Sequence, residues 1–419
     1  PGPIVIDVAV DLVGLDRPVI DGGGAGTVLT LRAGGSRVAG FLIRGTGDRS
    51  DREDAGIRAE AGPVVIEDNR FEDVLYGINL KQAPDSLVAR NVVRGRDIHI
   101  ARRGDGIRIW ESHGTRILDN QVLAARDVVI WYSEGLLIRG NTVREGRYGL
   151  HYMYSHDSRI EANRLERNAV GAFLMYSHDL VIEGNVMAGN HGPSGYGLAL
   201  KDSDDIQVLG NVLAGNRVGL YLDGTPSSRE ARGRVARNHF AFNDIGVLLL
   251  PTVARNRFEA NSFVENEQQV ALSSRGSAAG NDWTPDGQGN YWSDYAGYDA
   301  GGDGFGDLPY QPASLFHELL IRQPELRLFA LGPVHGMLDL AARAFPVFRP
   351  PALLSDTAPR TRPLPPPVAA PRRDGRPLAG LALALIGLAC LVVAWGRGLD
   401  GGSRRGAHRS TTIPERGPA

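Results

Sequence analysis

Cysteine is almost absent. The chain of 419 residues carries one, Cys390. No disulfide can form within it, and cysteine usage does not assign a redox compartment. An excess of charge is also missing: the net charge is −2, which gives no basic field for nucleic acid. The basic residues are almost all arginine, a bias of composition before it is a sign of function. The glycine run Gly22–Gly26 lacks the lysine and following helix of a phosphate-binding loop. No signal-peptide pattern opens the chain. Pro1–Val10 already alternates like a strand, so upstream sequence is expected to have been removed or left out. Helical spacing is absent from residues 1–280.

What is present is a repeat. His151-Tyr-Met-Tyr-Ser-His-Asp157 returns as Phe173-Leu-Met-Tyr-Ser-His-Asp179, 22 residues later. Asn163 and Asn185 keep the same offset, and so do Gly149 and Gly171. An asparagine ahead of a short apolar-alternating run recurs from Asn69 through Asn91, Asn120, Asn141 and onward to Asn261. A second series, Asn168, Asn190, Asn216, Asn243 and Asn266, lies five residues behind the later members of the first. A period of about 22 residues with alternation inside it predicts one solenoid coil per repeat. Each coil buries its inner face only by stacking on its neighbours. Without helices a leucine-rich horseshoe is disfavoured, and a propeller needs about twice this period. The fold class is therefore an all-β, right-handed parallel β-helix over residues 1–280, rich in glycine for its tight turns. The corner asparagines are expected to form ladders that satisfy turn amides.

The alternation assigns sides. Ala172, Leu174 and Ser177 face in, and Phe173, Met175, Tyr176 and His178 face out. One coil earlier the outward set is His151, Met153, Tyr154 and His156. Coils stack about 4.8 Å apart, so Trp110, Trp131, Met153, Met175 and Lys201 form one column. His113, Glu134, His156, His178 and Asp204 form another. Thioether and imidazole donors suit a soft cation, above all Cu(I). Met153, His156, Met175, His178 and His151 are thus the candidate metal ligands, with Met187 and His191 as possible extensions. The same side chains would also serve as an adaptable docking surface for another protein.

Catalysis is the weaker reading. Asp157, Asp179, Asp202, Asp204 and Asp205 fall at turn corners, where aspartate is common, rather than as a carboxyl pair across a cleft. A polysaccharide lyase or epimerase would need a base, an acid and a charge neutraliser. That carbohydrate-active reading is the runner-up, and a plain surface solenoid without ligand is the third. Asp299, Asp303 and Asp307, with Gly302 and Gly304, offer hard oxygens for calcium or simply make turns.

The period fades in residues 281–312, NDWTPDGQGNYWSDYAGYDAGGDGFGDLPY and the two residues after it, expected to cap the solenoid. Residues 313–349 carry helical spacing of leucine. Residues 350–377 are a Pro/Arg-rich stretch, expected to be an extended, poorly ordered linker. Residues 378–395 are an uncharged run, about 27 Å long as a helix, enough to span a bilayer. Residues 396–419 are a disordered tail by composition. Five arginines lie on each side of the apolar run, in 360–377 and 397–416, so charge does not orient it.

The pair YGLHYMYSHD and VGAFLMYSHD, with GNYWSDYAGYDAGGDGFGDLPY, resembles the NosD family over about residues 1–310. The Gly-Asn-Tyr-Trp-Ser-Asp-Tyr segment recurs at the ends of other carbohydrate-binding/sugar-hydrolase-type β-helices, so the doubled Met-Tyr-Ser-His-Asp discriminates. The resemblance implies a periplasmic, non-enzymatic accessory protein for copper-site maturation of nitrous oxide reductase. It implies as partners an ABC-type transporter (permease and ATPase), a copper-chaperone lipoprotein and the reductase itself. It implies that copper is received and passed on transiently, and strengthens the assignment of Met153, His156, Met175 and His178. The apolar run departs from the soluble picture of the family and implies a periplasmic body anchored to the cytoplasmic membrane.

Overall fold

Three short strands and three corners make each coil. The repeat beginning at Tyr148 gives Tyr148–Met153, Ser158–Glu161 and Arg164–Glu166. The next gives Val170–Met175, Leu180–Glu183 and Val186–Ala188. This computed structural model describes residues 3–312 and 352–368, with 323, 325, 326 and 337 as isolated positions. Like strands stack into three parallel sheets of twelve, eleven and twelve strands. The result is a right-handed parallel β-solenoid of about twelve turns. Among the described residues, helix is almost absent; the short 3-10 turns Ile100–Arg102 and Pro285–Gly287 are examples of what occurs.

Register follows the repeat: Met153 pairs with Met175, Ile160 with Ile182, and Leu165 with Met187. Alternate residues point into one continuous core, where Leu150, Tyr152, Ile160, Leu165, Leu174 and Ile182 are fully buried. Burying each such side chain contributes about 2 kcal/mol. Ala172, Leu174 and Ser177 face in, while Phe173, Met175 and Tyr176 are half-buried and His178 is exposed.

Asparagine holds the corner between the second and third sheets. The Asn163 backbone N–H and its Nδ2 both donate to Asn185 Oδ1 at 2.9 Å, and Nδ2 also donates to the Ile138 carbonyl at 2.9 Å. The pattern repeats from Asn69 to Asn290, and a second ladder runs from Asn168 to Asn266. The residue ahead of each asparagine from Asn69 to Asn261, and from Asn168 to Asn266, is left-handed, as at Arg90 (φ 52°), Ala162 (φ 51°) and Gly184 (φ 63°). A side chain there costs on the order of 1 kcal/mol, and the ladder bonds offset it. A third ladder uses serine: the Ser112, Ser133 and Ser155 backbone N–H groups donate to the Oγ of Ser133, Ser155 and Ser177 at 3.0–3.1 Å.

The ladders do not stop at residue 280, where the period fades in the sequence. Asn281 accepts from Asn256, Asn290 accepts from Asn261, and Tyr291–Trp292 adds a strand to the third sheet. Insertions between these rungs stretch the spacing without breaking the stack. Phe240, Phe263, Trp292 and Tyr310 then stack in series, with ring centroids 4.3–4.9 Å apart.

Residues 352–368, expected to be a poorly ordered linker, are extended but pinned along their length. Leu354 is buried in the main core. Asp356, fully buried, accepts from Asn290 N–H at 2.7 Å and Trp292 Nε1 at 2.9 Å, so it replaces the next asparagine of the ladder. Arg360 N–H donates to the Asn290 carbonyl at 2.8 Å, and Leu364 N–H to Ser262 Oγ at 3.0 Å. Val368 packs on Val186, Ala188 and Val212. The expected helical segment 313–349, apart from the isolated positions, lies outside the described residues. So do the rest of the linker, the apolar run 378–395 and the tail 396–419. Among the described residues no helix is long and apolar enough to cross a membrane.

Candidate functional site

The outer face of the first sheet carries the candidate ligands. In one column Lys81, Trp110, Trp131, Met153, Met175 and Lys201 lie in direct register. Both methionines are half-buried, and in-register parallel neighbours are about 4.8 Å apart. His151 stands two residues before Met153 on the same face, in register with Phe173. Its ring meets the edges of Trp131 and Tyr148, at centroid distances of 5.2 and 5.0 Å.

A tyrosine stack follows the methionines at the corner. Tyr132, Tyr154 and Tyr176 lie with centroids 5.3 and 4.9 Å apart and nearly parallel. All three backbones are left-handed, with φ of 52°, 48° and 54°. Bulky residues rarely adopt this conformation. The serine ladder immediately after them fixes the turn, and each ring contact returns about 1 kcal/mol.

Beyond the serines come the histidines. His156 and His178 stack with centroids 3.8 Å apart. His156 Nδ1 accepts from the His178 backbone N–H at 3.2 Å. The same bond occurs earlier in the column, where His113 Nδ1 accepts from Glu134 N–H at 3.2 Å. His178 Nδ1 lies 2.8 Å from Asp179 Oδ2. Burial, and then His178 beside it, pull the His156 imidazole below its usual range. Asp157, His178 and Asp179 place donor atoms within 4.8 Å of one another, all exposed. In chain order, then, the tyrosine and serine rows separate the methionine column from the histidine column. His113 and Tyr132, with Gln82, Pro84 and Glu111, line an open groove at the earlier end of this corner.

The structure adds a group of residues missed in the sequence. Asp105 and Asp127 are fully buried at the opposite edge of the same sheet. Asp127 is held by Arg147 and by the Tyr148 N–H, and lies 3.3 Å from His151 Nδ1. Burial pushes this carboxyl up, but the bonds from His151 and Arg147 outweigh it and hold Asp127 below its ordinary range. Asp105 meets Arg126 at 3.0 Å, yet burial dominates and pushes it up to about 6. Arg108 joins Glu53 at 3.0 Å and lies over Trp131, 5.2 Å from the ring centre. A signal existed: Asp105 and Asp127, like Arg126 and Arg147, recur near the coil period.

Other sequence candidates fall elsewhere. Met187 is fully buried in the core, because its position in the third sheet is inward, so it cannot extend an outer patch. His191 is exposed, and its N–H donates to the Asn168 carbonyl. The Asp204 carboxylate accepts from Ser227 and Ser228 N–H, and Asp205 from Arg232 N–H, so both hold a turn. The calcium expectation finds no support. Asp299 accepts from the N–H groups of Gly302, Asp303 and Gly304, Asp307 from Ala300 N–H, and Asp303 from Phe305 N–H. These carboxylates shape turns.

Comparison with known proteins adds four findings. Residues 89–297 match the model of the family described as "Periplasmic copper-binding protein (NosD)". The chain is 33% identical over 364 residues to the "Probable ABC transporter binding protein NosD" of Pseudomonas aeruginosa, covering 81% of this chain and 83% of that one. It is 39% identical over 120 residues to the protein of the same description from Stutzerimonas stutzeri, 28% of this chain and 27% of the relative. Among solved structures, the A-module of a mannuronan C-5 epimerase from Azotobacter vinelandii matches with a TM-score of 0.52 at 17% identity. That match covers 70% of this chain and 86% of the module, and shows the shared fold alone.

Proposed function

The chain belongs to the NosD family, and on that premise we propose that it is a periplasmic, non-enzymatic scaffold for copper delivery to nitrous oxide reductase. In this reading copper is cargo. It arrives from a chaperone lipoprotein, rests transiently on the solenoid, and leaves for the reductase. An ABC-type transporter, a permease with its ATPase, drives the cycle mechanically, and the relatives' description as ABC transporter binding proteins supports such a partner. Residues 378–395 anchor the body to the cytoplasmic membrane.

One observation carries the assignment of the site: Met153 and Met175 stand in register on the outer face, with His151 on the same face. Two thioethers and an imidazole are a donor set that prefers Cu(I) to Zn(II) or to hard cations. His178 extends the donors around the corner.

A carbohydrate-active reading would look to Asp105, Asp127, Tyr148 and His151. The arginines there are already paired: Arg108 with Glu53, Arg126 with Asp105, and Arg147 with Asp127. These three are therefore engaged and not poised to neutralise the carboxylate of a uronate.

The test replaces Met153 and Met175 by leucine, which keeps volume and removes the sulfur. In competition with a Cu(I) chelator the double variant should bind at least about tenfold more weakly, roughly 1.4 kcal/mol. Unchanged affinity in a folded variant removes the site from these residues.

A further inference from the structure

The three candidate histidines differ in what their Nδ1 atoms touch, and this sorts them. A neutral imidazole carries one proton, and only the bare nitrogen can ligate a metal. A carboxylate oxygen only accepts, so a ring nitrogen bonded to it must be the protonated one. A backbone N–H only donates, so a ring nitrogen bonded to it must be bare.

His151 Nδ1 faces Asp127 Oδ2 at 3.3 Å, and His178 Nδ1 faces Asp179 Oδ2 at 2.8 Å. In both, the proton sits on Nδ1 and Nε2 is free to ligate. His156 is the reverse. Its Nδ1 accepts from His178 N–H at 3.2 Å, which puts the proton on Nε2. Its partner in the column makes the same bond, His113 Nδ1 to Glu134 N–H, so this is a corner-capping role that recurs with the coil. Ligation by His156 would require breaking that cap.

We infer that Asp127 and Asp179 are positioning residues that set the tautomers of His151 and His178, so that these two, and not His156, present a bare Nε2 to the metal. The inference rests on the copper reading for its purpose, but not for its first test. A carboxylate behind a ligating histidine fixes ring orientation and raises the basicity of the ligand, and its loss costs about 10–100-fold in affinity. Asp127 is the firmer of the two, because it is fully buried and itself held by Arg147. Asp179 is exposed, so His178 is set by a contact that solvent reaches.

The experiment uses the full, metal-free chain labelled with 15N-histidine. Long-range 1H–15N spectra report which ring nitrogen is protonated, with signals assigned by His151→Gln, His156→Gln and His178→Gln. His151 and His178 should show protonated Nδ1, and His156 protonated Nε2. Asp179→Ala removes an exposed carboxylate and should move His178 alone toward the other tautomer. His156 with a bare Nε2, or His178 unmoved by Asp179→Ala, overturns the inference whatever copper does. Cu(I) competition then tests the reading beneath it. His151→Gln and His178→Gln should each weaken binding about tenfold or more, and His156→Gln by less than about twofold. If His156→Gln weakens binding as much as His178→Gln, the sorting is wrong. If the tautomers are as stated but all three variants bind as the parent does, the copper site fails and the tautomer assignment stands.

Discussion

Asp105 and Asp127 lie one coil apart and respond to pH in opposite senses. Asp127 is held below its ordinary value by His151 and Arg147, although burial opposes them. A carboxyl lowered in the fold contributes stability above its unfolded value, near 3.8, and loses it as pH falls through the folded value. Asp105 is pushed up to about 6 by burial. Between about pH 4 and 6 the folded state therefore holds this proton more tightly than the unfolded one, and stability falls as pH rises. Asp127→Asn should cost about 3 kcal/mol at pH 7 by leaving Arg147 without its buried partner. In urea melts the deficit should shrink below about pH 4, where the parent carboxyl also protonates. A deficit that stays constant down to pH 3 would mean the effect is packing and not charge.

At the scale of the element, the ladders are the units that fail together. Asn163→Ala leaves the Asn141 N–H unmatched in the interior and takes one donor from the Ile138 carbonyl, at a cost of about 2–4 kcal/mol. Ser155→Ala leaves only the Ser133 N–H, and should cost about 1–2 kcal/mol. Asp356→Ala should resemble the asparagine and not the serine, because it strips partners from Asn290 N–H and Trp292 Nε1. Equilibrium unfolding in urea ranks the three. An Asp356→Ala chain as stable as the parent would show that residues 352–368 lie on the solenoid without closing it.

Much of this was legible in the sequence. A 22-residue offset shared by Met, Tyr, Ser, His and Asn fixes the coil, and period-two alternation places Leu174 inside and Met175 outside. The asparagine ladder follows from the same count. Three things were not legible, each for a physical reason. Asp356 joins a ladder whose previous member is Asn290, and no period links residues separated by so long an insertion. The Asp105–Asp127 network sits at an edge where the outward face is itself covered by arginine side chains, so exposure could not be inferred from alternation. Met187 belongs to a different strand of the coil from Met175, and its side is set by that strand's own start.

On the scale of the whole molecule, the described solenoid presents the wall proposed to hold copper and one reinforced end. The wall faces outward from the first sheet; the end is sealed by Trp292, Tyr310, Leu354 and Asp356. A proposed anchor at 378–395 would follow the last pinned residue, Val368, by only a short stretch of chain. Truncation after residue 370 keeps that seal and removes the apolar run. The shortened chain should leave the membrane fraction while the full chain stays in it. Equal partitioning of the two would rule out anchoring by this segment.

The terminal rung also imposes an order of assembly. During synthesis each new coil can settle on the one before it as it emerges, because its neighbour is already there. The final coil cannot, since its closing carboxylate is made 66 residues after the asparagine it caps. A nascent chain therefore carries its end open until after the last strand of its wall has been built, and any ribosome that stalls before residue 356 leaves behind a solenoid with an unfinished top.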